Sequence, residues 1–170
     1  ENFQKVGAFK FRGATNAIMN LSEEERLRGV VTHSSGNHAA ALAHAAVSRG
    51  VKAYIVMPET SPEVKKRAVS GYGAEITFCK PTLEARESTA AEIMNRTGAT
   101  LVHPYDNFFV IAGQGTAALE LLNQLPDLDI IIAPVGGGGL LSGTSLAARG
   151  KSSKIKIYGA EPAQADDAYR

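Results

Sequence analysis

The 170 residues carry 44% hydrophobic and 21% charged side chains with a formal net charge of +1, an ordinary globular composition without the basic or acidic bias that marks nucleic-acid or acidic partners. Gly, Pro, Lys or Glu interrupts every apolar run well short of the roughly 18 residues a membrane span needs, which excludes a membrane-spanning helix. A single cysteine, Cys79, excludes an internal disulfide; beside Ile76 and Phe78 it reads as a half-buried strand thiol, and the expected compartment is the reducing cytoplasm.

The chain opens at Glu1 without a Met and Phe9 already lies inside a motif, so both ends read as cut and no targeting signal can be judged. In "KVGAFKFRGATNAI", residues 5–18, Lys10 stands between Phe9 and Phe11. Burial among aromatics disfavours a charged amine, and a neutral lysine can form a Schiff base. Taken alone, these residues fit a solvated lysine beside core phenylalanines better. Ser22 before Glu23, Glu24 and Glu25 reads as a helix start with charge matched to the helix dipole.

Short β-branched runs at 30–32, 53–57, 75–78, 100–102, 130–133 and 155–158 read as buried strands. Between them, 37–49, 62–72, 83–96, 112–124 and 139–149 read as helices, several closed by Gly50, Gly73, Gly98 and Gly150 where a C-terminal cap favours glycine. Strands alternating with helices predict a parallel, layered α/β fold. Pattern alone marks no repeat, linker or domain boundary. His44 and His103 match no ligand pair and read as a helix-face and a strand-end histidine with local partners.

Between the first strand and its helix stands "THSSGNHAAA", residues 32–41, with more small polar residues in a row than a cap requires. In an open α/β sheet the carboxyl ends of the strands face the ligand crevice, and a helix starting near Asn37 points free N–H groups into it. Ser34, Ser35, Asn37 and His38 add side-chain donors suited to a small carboxylate. A capped helix without a ligand explains the segment equally well.

"IIIAPVGGGGLLSGTSLAA", residues 130–148, sets four consecutive glycines between a strand and a helix. Their lost backbone entropy asks for a reason, and close approach of N–H groups to a phosphate is the usual one. No Gly-Lys-Ser/Thr follows and no alignment satisfies GxGxxG, which excludes the triphosphate loop and weakens a dinucleotide reading. A phosphate on a smaller cofactor remains, beside the alternative of a merely tight turn.

Together KVGAFKFRGA, SSGNH, PVGGGGLLSG and AEPAQADD resemble the serine racemase and serine/threonine dehydratase group of the fold type II, or β family, pyridoxal-phosphate enzymes, along essentially the whole chain. The resemblance implies that Lys10 holds pyridoxal 5'-phosphate as a Schiff base and that Asn37 bonds its phenolic oxygen. Phe9 packs on its ring, and the backbone of Gly136, Gly137, Gly138, Gly139 and Leu140 binds its phosphate. Ser34, Ser35, Gly36, Asn37 and His38 hold the carboxylate of a small amino acid substrate. It further implies a small mobile domain over 29–106, a large domain built from 1–28 and 107–170, a homodimer when full length, and a Ser or Thr facing the pyridine nitrogen beyond Arg170.

Related dehydratases commonly read SAGNH where this chain reads SSGNH, which makes Ser35 the candidate acid on the face opposite Lys10 and favours racemase competence; the bland alternative makes Ser35 a cap donor. Relatives that respond to nucleotides often read SSGNHGQ, whereas Ala39 and Ala40 follow His38 here, so nucleotide activation is not carried over. Glu161 and Asp167 are hard oxygen donors, and a turn from Pro162 brings the carbonyl of Ala165 between them; with the resemblance this set predicts Mg²⁺ or Ca²⁺, and without it a solvated acidic loop. The expected activity is racemisation or dehydration of serine or threonine. The alternatives are a 3-hydroxyaspartate ammonia-lyase and, from another class, a non-catalytic nucleotide-binding or regulatory module.

Overall fold

A computed structural model describes all residues, Glu1 to Arg170. Four parallel strands, β1 (Val30–His33), β2 (Ala53–Pro58), β3 (Glu75–Cys79) and β4 (Thr100–Leu101), form one sheet in the order β3-β2-β1-β4. β5 (Ile130–Pro134) and β6 (Lys156–Ala160) form a second parallel pair. The helices are α1 (Lys10–Met19), α2 (Glu23–Arg28), α3 (Asn37–Val47), α4 (Glu63–Gly71), α5 (Leu83–Thr97), α6 (Phe108–Gln124) and α7 (Gly139–Lys151). None is long and apolar enough to cross a membrane.

Residue alternation along the central strands sorts the core. Ile55 and Met57 of β2 pack with the alanines of α3 and with Ala14, Ala17 and Ile18 of α1, whereas Tyr54 and Val56 face Ala90 and Ile93 of α5. Leu122, Ile131, Ala148 and Ile155 make a separate small core under the second sheet. Between the sheets, helices approach through glycines: a Cβ on Gly113 would stand 2.6 Å from the Gly13 Cα, and one on Gly143 would run into Ile111 O and stand 2.6 Å from Gly115 N. α1, packed on both α3 and α6, therefore bridges the two sheets and carries Lys10 at its first position. Arg12 fastens this bridge, donating to both carboxylate oxygens of Glu120 at 2.8 and 2.7 Å and to those of Glu1 at 2.9 and 3.0 Å.

Parallel pairing, six strands in the expected places and the capping box of Ser22 and Glu25 agree with the sequence reading. Several expectations need correction. β3, β5 and β6 are not buried strands: β3 is a sheet edge, and Ile130, Ile132 and Tyr158 are exposed on the second sheet. α6 starts at Phe108, earlier than expected, because the Asn107 side chain accepts from Val110 N at 3.0 Å and caps it. α3 stops at Val47, and α1 was not expected. Gly50, Gly73 and Gly98 take positive φ after their helices, but Gly150 lies inside α7. Cys79 is buried rather than half-buried, with burial pushing its thiol pKa up, so it is a packing residue.

Two glycines of α7 give opposite expectations. Gly143→Ala should destabilise the chain by about 1–3 kcal/mol through overpacking, whereas Gly150→Ala, with open space around its Cβ, should stabilise α7 by up to about 1 kcal/mol. Denaturant titration of the two variants checks the signs.

Candidate active site

Parallel strands place β1 and β4 with their carboxyl ends at the same edge of the sheet, so the segments that follow them meet there. Lys10 reaches this edge from α1, with Phe9 as the preceding cap residue. Its ammonium donates to the Pro104 carbonyl at 2.6 Å and lies 5.4 Å from the centroid of the Phe9 ring. No ion pair in the chain involves it. Burial without a carboxylate partner pushes the amine below the usual lysine range, and the N-terminal end of α1 acts in the same direction.

Residues 102–105 are the hub that sequence reasoning missed. The Val102 carbonyl accepts from His38 Nε2 at 3.1 Å, and the Pro104 carbonyl accepts from Lys10. Tyr105 fills the space beside the glycine turn: a Cβ on Gly137 would enter its ring, and one on Gly139 would lie 3.0 Å from its carbonyl oxygen. His103 stands edge-on to Tyr105 at 4.6 Å and to His33 at 5.7 Å, while its Nδ1 accepts from Asp106 N at 2.9 Å. Burial lowers the pKa of both His33 and His103, with the His103 ring adding to the effect at His33 and the carboxylates of Asp106 and Glu87 opposing it at His103. The local partner expected for His103 is present; the sequence reading singled out none of His33, Val102, Pro104 and Tyr105. His44 sits on its helix face between Phe11 and Tyr72, with ring centroids 5.4 and 4.9 Å away.

α3 starts at Asn37 with Gly36 as its cap and no side-chain cap bond. Its first helical bond runs from Ala40 N to Gly36 O, leaving the amides of Asn37, His38 and Ala39 without a backbone acceptor. Ser34 Oγ accepts from Gly36 N at 3.3 Å, so Ser34 and not Ser35 makes the local bond, and the cap role considered for Ser35 is corrected. Ser34 and Ser35 are half-buried and Asn37 is exposed. The His38 side chain departs from expectation: its ring is 2% exposed and committed to Val102, so only the main-chain amide of His38 faces the turn. Burial pushes its pKa down to about 3, which keeps the ring neutral.

In the second motif Gly136 and Gly138 take φ of +51° and +87°, the left-handed region that favours glycine. α7 begins at Gly139, and its first bond, from Ser142 N to Gly138 O at 2.8 Å, leaves the amides of Gly139, Leu140 and Leu141 without a backbone acceptor. Two helix N-termini thus flank the hub, each offering unpaired N–H groups to an anion. A cavity of about 530 Å³ touches this site only at Phe9 and Leu140 and otherwise lies against Arg12, Glu120 and β5.

The acidic loop stands apart. Ala165 N donates to Pro162 O at 2.9 Å, forming the expected turn, and Glu161 accepts from Ala168 N at 3.4 Å. Asp166 pairs with Arg170 at 3.0 Å. No three His, Cys, Asp or Glu side chains gather as a metal cluster; the Glu161, Ala165 and Asp167 set brings only two carboxylates.

The chain is 58% identical over its whole length to a serine racemase of Dictyostelium discoideum, covering 52% of that protein, and its fold matches the crystal structure of that organism's serine racemase with a TM-score of 0.97, covering 55% of the crystallised chain. It is 51% identical over its whole length to a β-hydroxyaspartate dehydratase of Paracoccus denitrificans, covering 54% of it. A threonine deaminase isoform from Solanum lycopersicum matches 96% of this chain and 48% of its own at 39% identity, with a TM-score of 0.90. The chain therefore spans about half the length of the relatives it matches. The family model described as pyridoxal-phosphate dependent enzyme matches residues 1–170. With Lys10, the turn after β1 and the glycine turn gathered at one edge, the chain belongs to the pyridoxal-phosphate dependent enzyme family.

Proposed function

We propose that the protein carrying this chain binds pyridoxal 5'-phosphate at this edge and acts at Cα of a small hydroxy amino acid, racemising serine or dehydrating serine and threonine. The observation that carries this reading is Lys10, a half-buried amine with no carboxylate partner, tied through residues 104 and 105 to the glycine turn. The residues suit the cofactor: positive-φ glycines and three unpaired amides make a cradle for a phosphate, and burial lowers the Lys10 pKa, which favours the neutral amine that a Schiff base needs. When bound, the cofactor supplies an electron sink for charge that develops at the substrate's Cα.

Around it, Lys10 is the covalent anchor and the base on one face of Cα. Phe9 would pack on the cofactor's ring, Asn37 would bond its phenolic oxygen, and Gly136, Gly137, Gly138, Gly139 and Leu140 would hold its phosphate. Ser34, Ser35, Gly36, Asn37 and the amide of His38 hold the substrate carboxylate. Ser35 moves the proton on the opposite face. The four-stranded sheet with its helices is the small domain over 29–106, and residues 1–28 and 107–170 belong to the large one. The whole protein is a cytoplasmic homodimer. Pairing of the glycine turn with Lys10 in one site speaks against a module without lysine chemistry.

Racemisation needs a proton donor on each face, whereas loss of the β-hydroxyl needs Cα deprotonation on one. Ser35→Ala in the whole protein should therefore remove D-serine formation while pyruvate formation from L-serine survives. Ser35 makes no hydrogen bond that folding depends on, so the variant should keep its melting temperature. An unchanged ratio of D-serine to pyruvate would overturn the two-face assignment.

A second reading, dehydration of 3-hydroxyaspartate, is supported by the Paracoccus denitrificans relative and by Lys65, whose ammonium stands 3.9 Å from where a Gly36 Cβ would be, a cation at the turn for a second carboxylate. Comparing D-serine, pyruvate and oxaloacetate formed from serine, threonine and 3-hydroxyaspartate separates the two readings. Glu161, the Ala165 carbonyl and Asp167 would hold Mg²⁺ or Ca²⁺ through oxygen donors. Chelator treatment should lower activity or thermal stability and added cation should restore it; indifference to both would overturn the site.

A further inference from the structure

His38 is the only side chain of the 34–38 turn that is buried, and its ring bonds the end of β4 instead of the turn. A carbonyl oxygen only accepts, so Nε2 carries the proton and donates to Val102 O at 3.1 Å, and Nδ1 is left buried without a partner. Val102 is itself 1% exposed, so bulk solvent does not reach this acceptor. Beyond it the chain leaves the sheet: Val102 N still bonds Val31 O at 2.9 Å, but the next carbonyl used is that of Pro104, at Lys10. Tyr105 then packs against Gly137 and Gly139.

We infer that His38 is a positioning residue: its buried Nε2–H clamps the segment 102–105, which sets Lys10 at one end and the glycine turn at the other. This rests on the function proposed above, because positioning matters only if those two elements hold one cofactor. The imidazole suits the task through reach and neutrality. It spans from the first turn of α3 to the end of β4, and burial with Lys10, His33 and His103 nearby keeps it uncharged, so the clamp does not change its charge near neutral pH. Its contact with the reacting groups is indirect, through Pro104 and Tyr105.

Three measurements on the full-length protein test the clamp. In the cofactor-free wild type, ¹⁵N spectra of histidine should show His38 as the Nε2–H tautomer, slow to exchange its proton and still neutral at about pH 5; the Nδ1–H tautomer, or titration near neutrality, would overturn the proposal even if no variant folds. His38→Leu should weaken pyridoxal-phosphate binding, followed by absorbance titration, by about tenfold, the loss expected for one unmet buried acceptor. His38→Gln, which presents an amide N–H at the same position, should restore binding to within about threefold of wild type. A leucine variant that binds the cofactor normally but shows a raised KM for serine would make the ring a substrate ligand and overturn the clamp. Wild-type protein that takes up no pyridoxal phosphate would instead refute the proposed function, and the ¹⁵N spectrum would still decide the clamp.

Discussion

Lys10→Ala in the whole protein is expected to abolish covalent attachment of pyridoxal phosphate and lower turnover by about a thousandfold or more, the scale of losing a positioned base together with the anchor. The fold should survive, because the Lys10 amine makes one hydrogen bond, to the Pro104 carbonyl, and no ion pair. The pH dependence gives a second readout. Burial lowers the folded-state pKa of Lys10 below its unfolded value, so the unfolded chain binds more protons between the two and stability rises with pH across that interval. Below the folded pKa the cost of a buried charge is fully present; above the unfolded pKa it is gone. Lys10→Ala should remove this rise, so the variant's melting temperature should gain on wild type as pH falls. Wild-type turnover and spectrum in Lys10→Ala would overturn the assignment.

Gly137→Val should act through shape. Any Cβ at residue 137 enters the Tyr105 ring, and that ring is attached to the segment that also carries the acceptor of Lys10, so it cannot move freely. Relief by shifting the turn or the ring costs about 2 kcal/mol of strain, close to about thirtyfold in cofactor affinity. Gly136→Ala also loses affinity, since φ of +51° strains an L side chain, but meets no atom within 4 Å and should lose less. Absorbance titration of both variants orders the two effects; equal, wild-type affinities would show that the turn holds no phosphate.

What was legible in the sequence follows from the range of each interaction. The turn after β1, the glycine turn and the helix caps at Ser22 and Gly98 are local, set by neighbouring residues, and could be read directly. α1 could not: Gly13 lowers its helix propensity, and what favours it is packing of that glycine against Gly113 and Gln114, the latter 101 residues away along the chain. Gly150 looked like a helix stop because glycine commonly is one; only the continued hydrogen bonding of α7 shows otherwise. Exposure of β3, β5 and β6 depends on which strands lie beside them, which β-branched runs do not encode. The hub was hidden for the same reason as α1. Pro104 meets Lys10 across a separation of 94 residues and Val102 meets His38 across 64, with no local pattern to announce either. His38 shows the limit within a motif: a histidine in a row of polar side chains looks like a ligand until its ring is seen to be buried.

Borohydride reduction of the full-length protein with pyridoxal phosphate bound, followed by digestion and mass mapping, tests the central claim most directly. The expected product is a phosphopyridoxyl group fixed on Lys10 within the peptide that carries Phe9 and Phe11. A label on another lysine such as Lys65, or none at all after uptake of the cofactor, would contradict it.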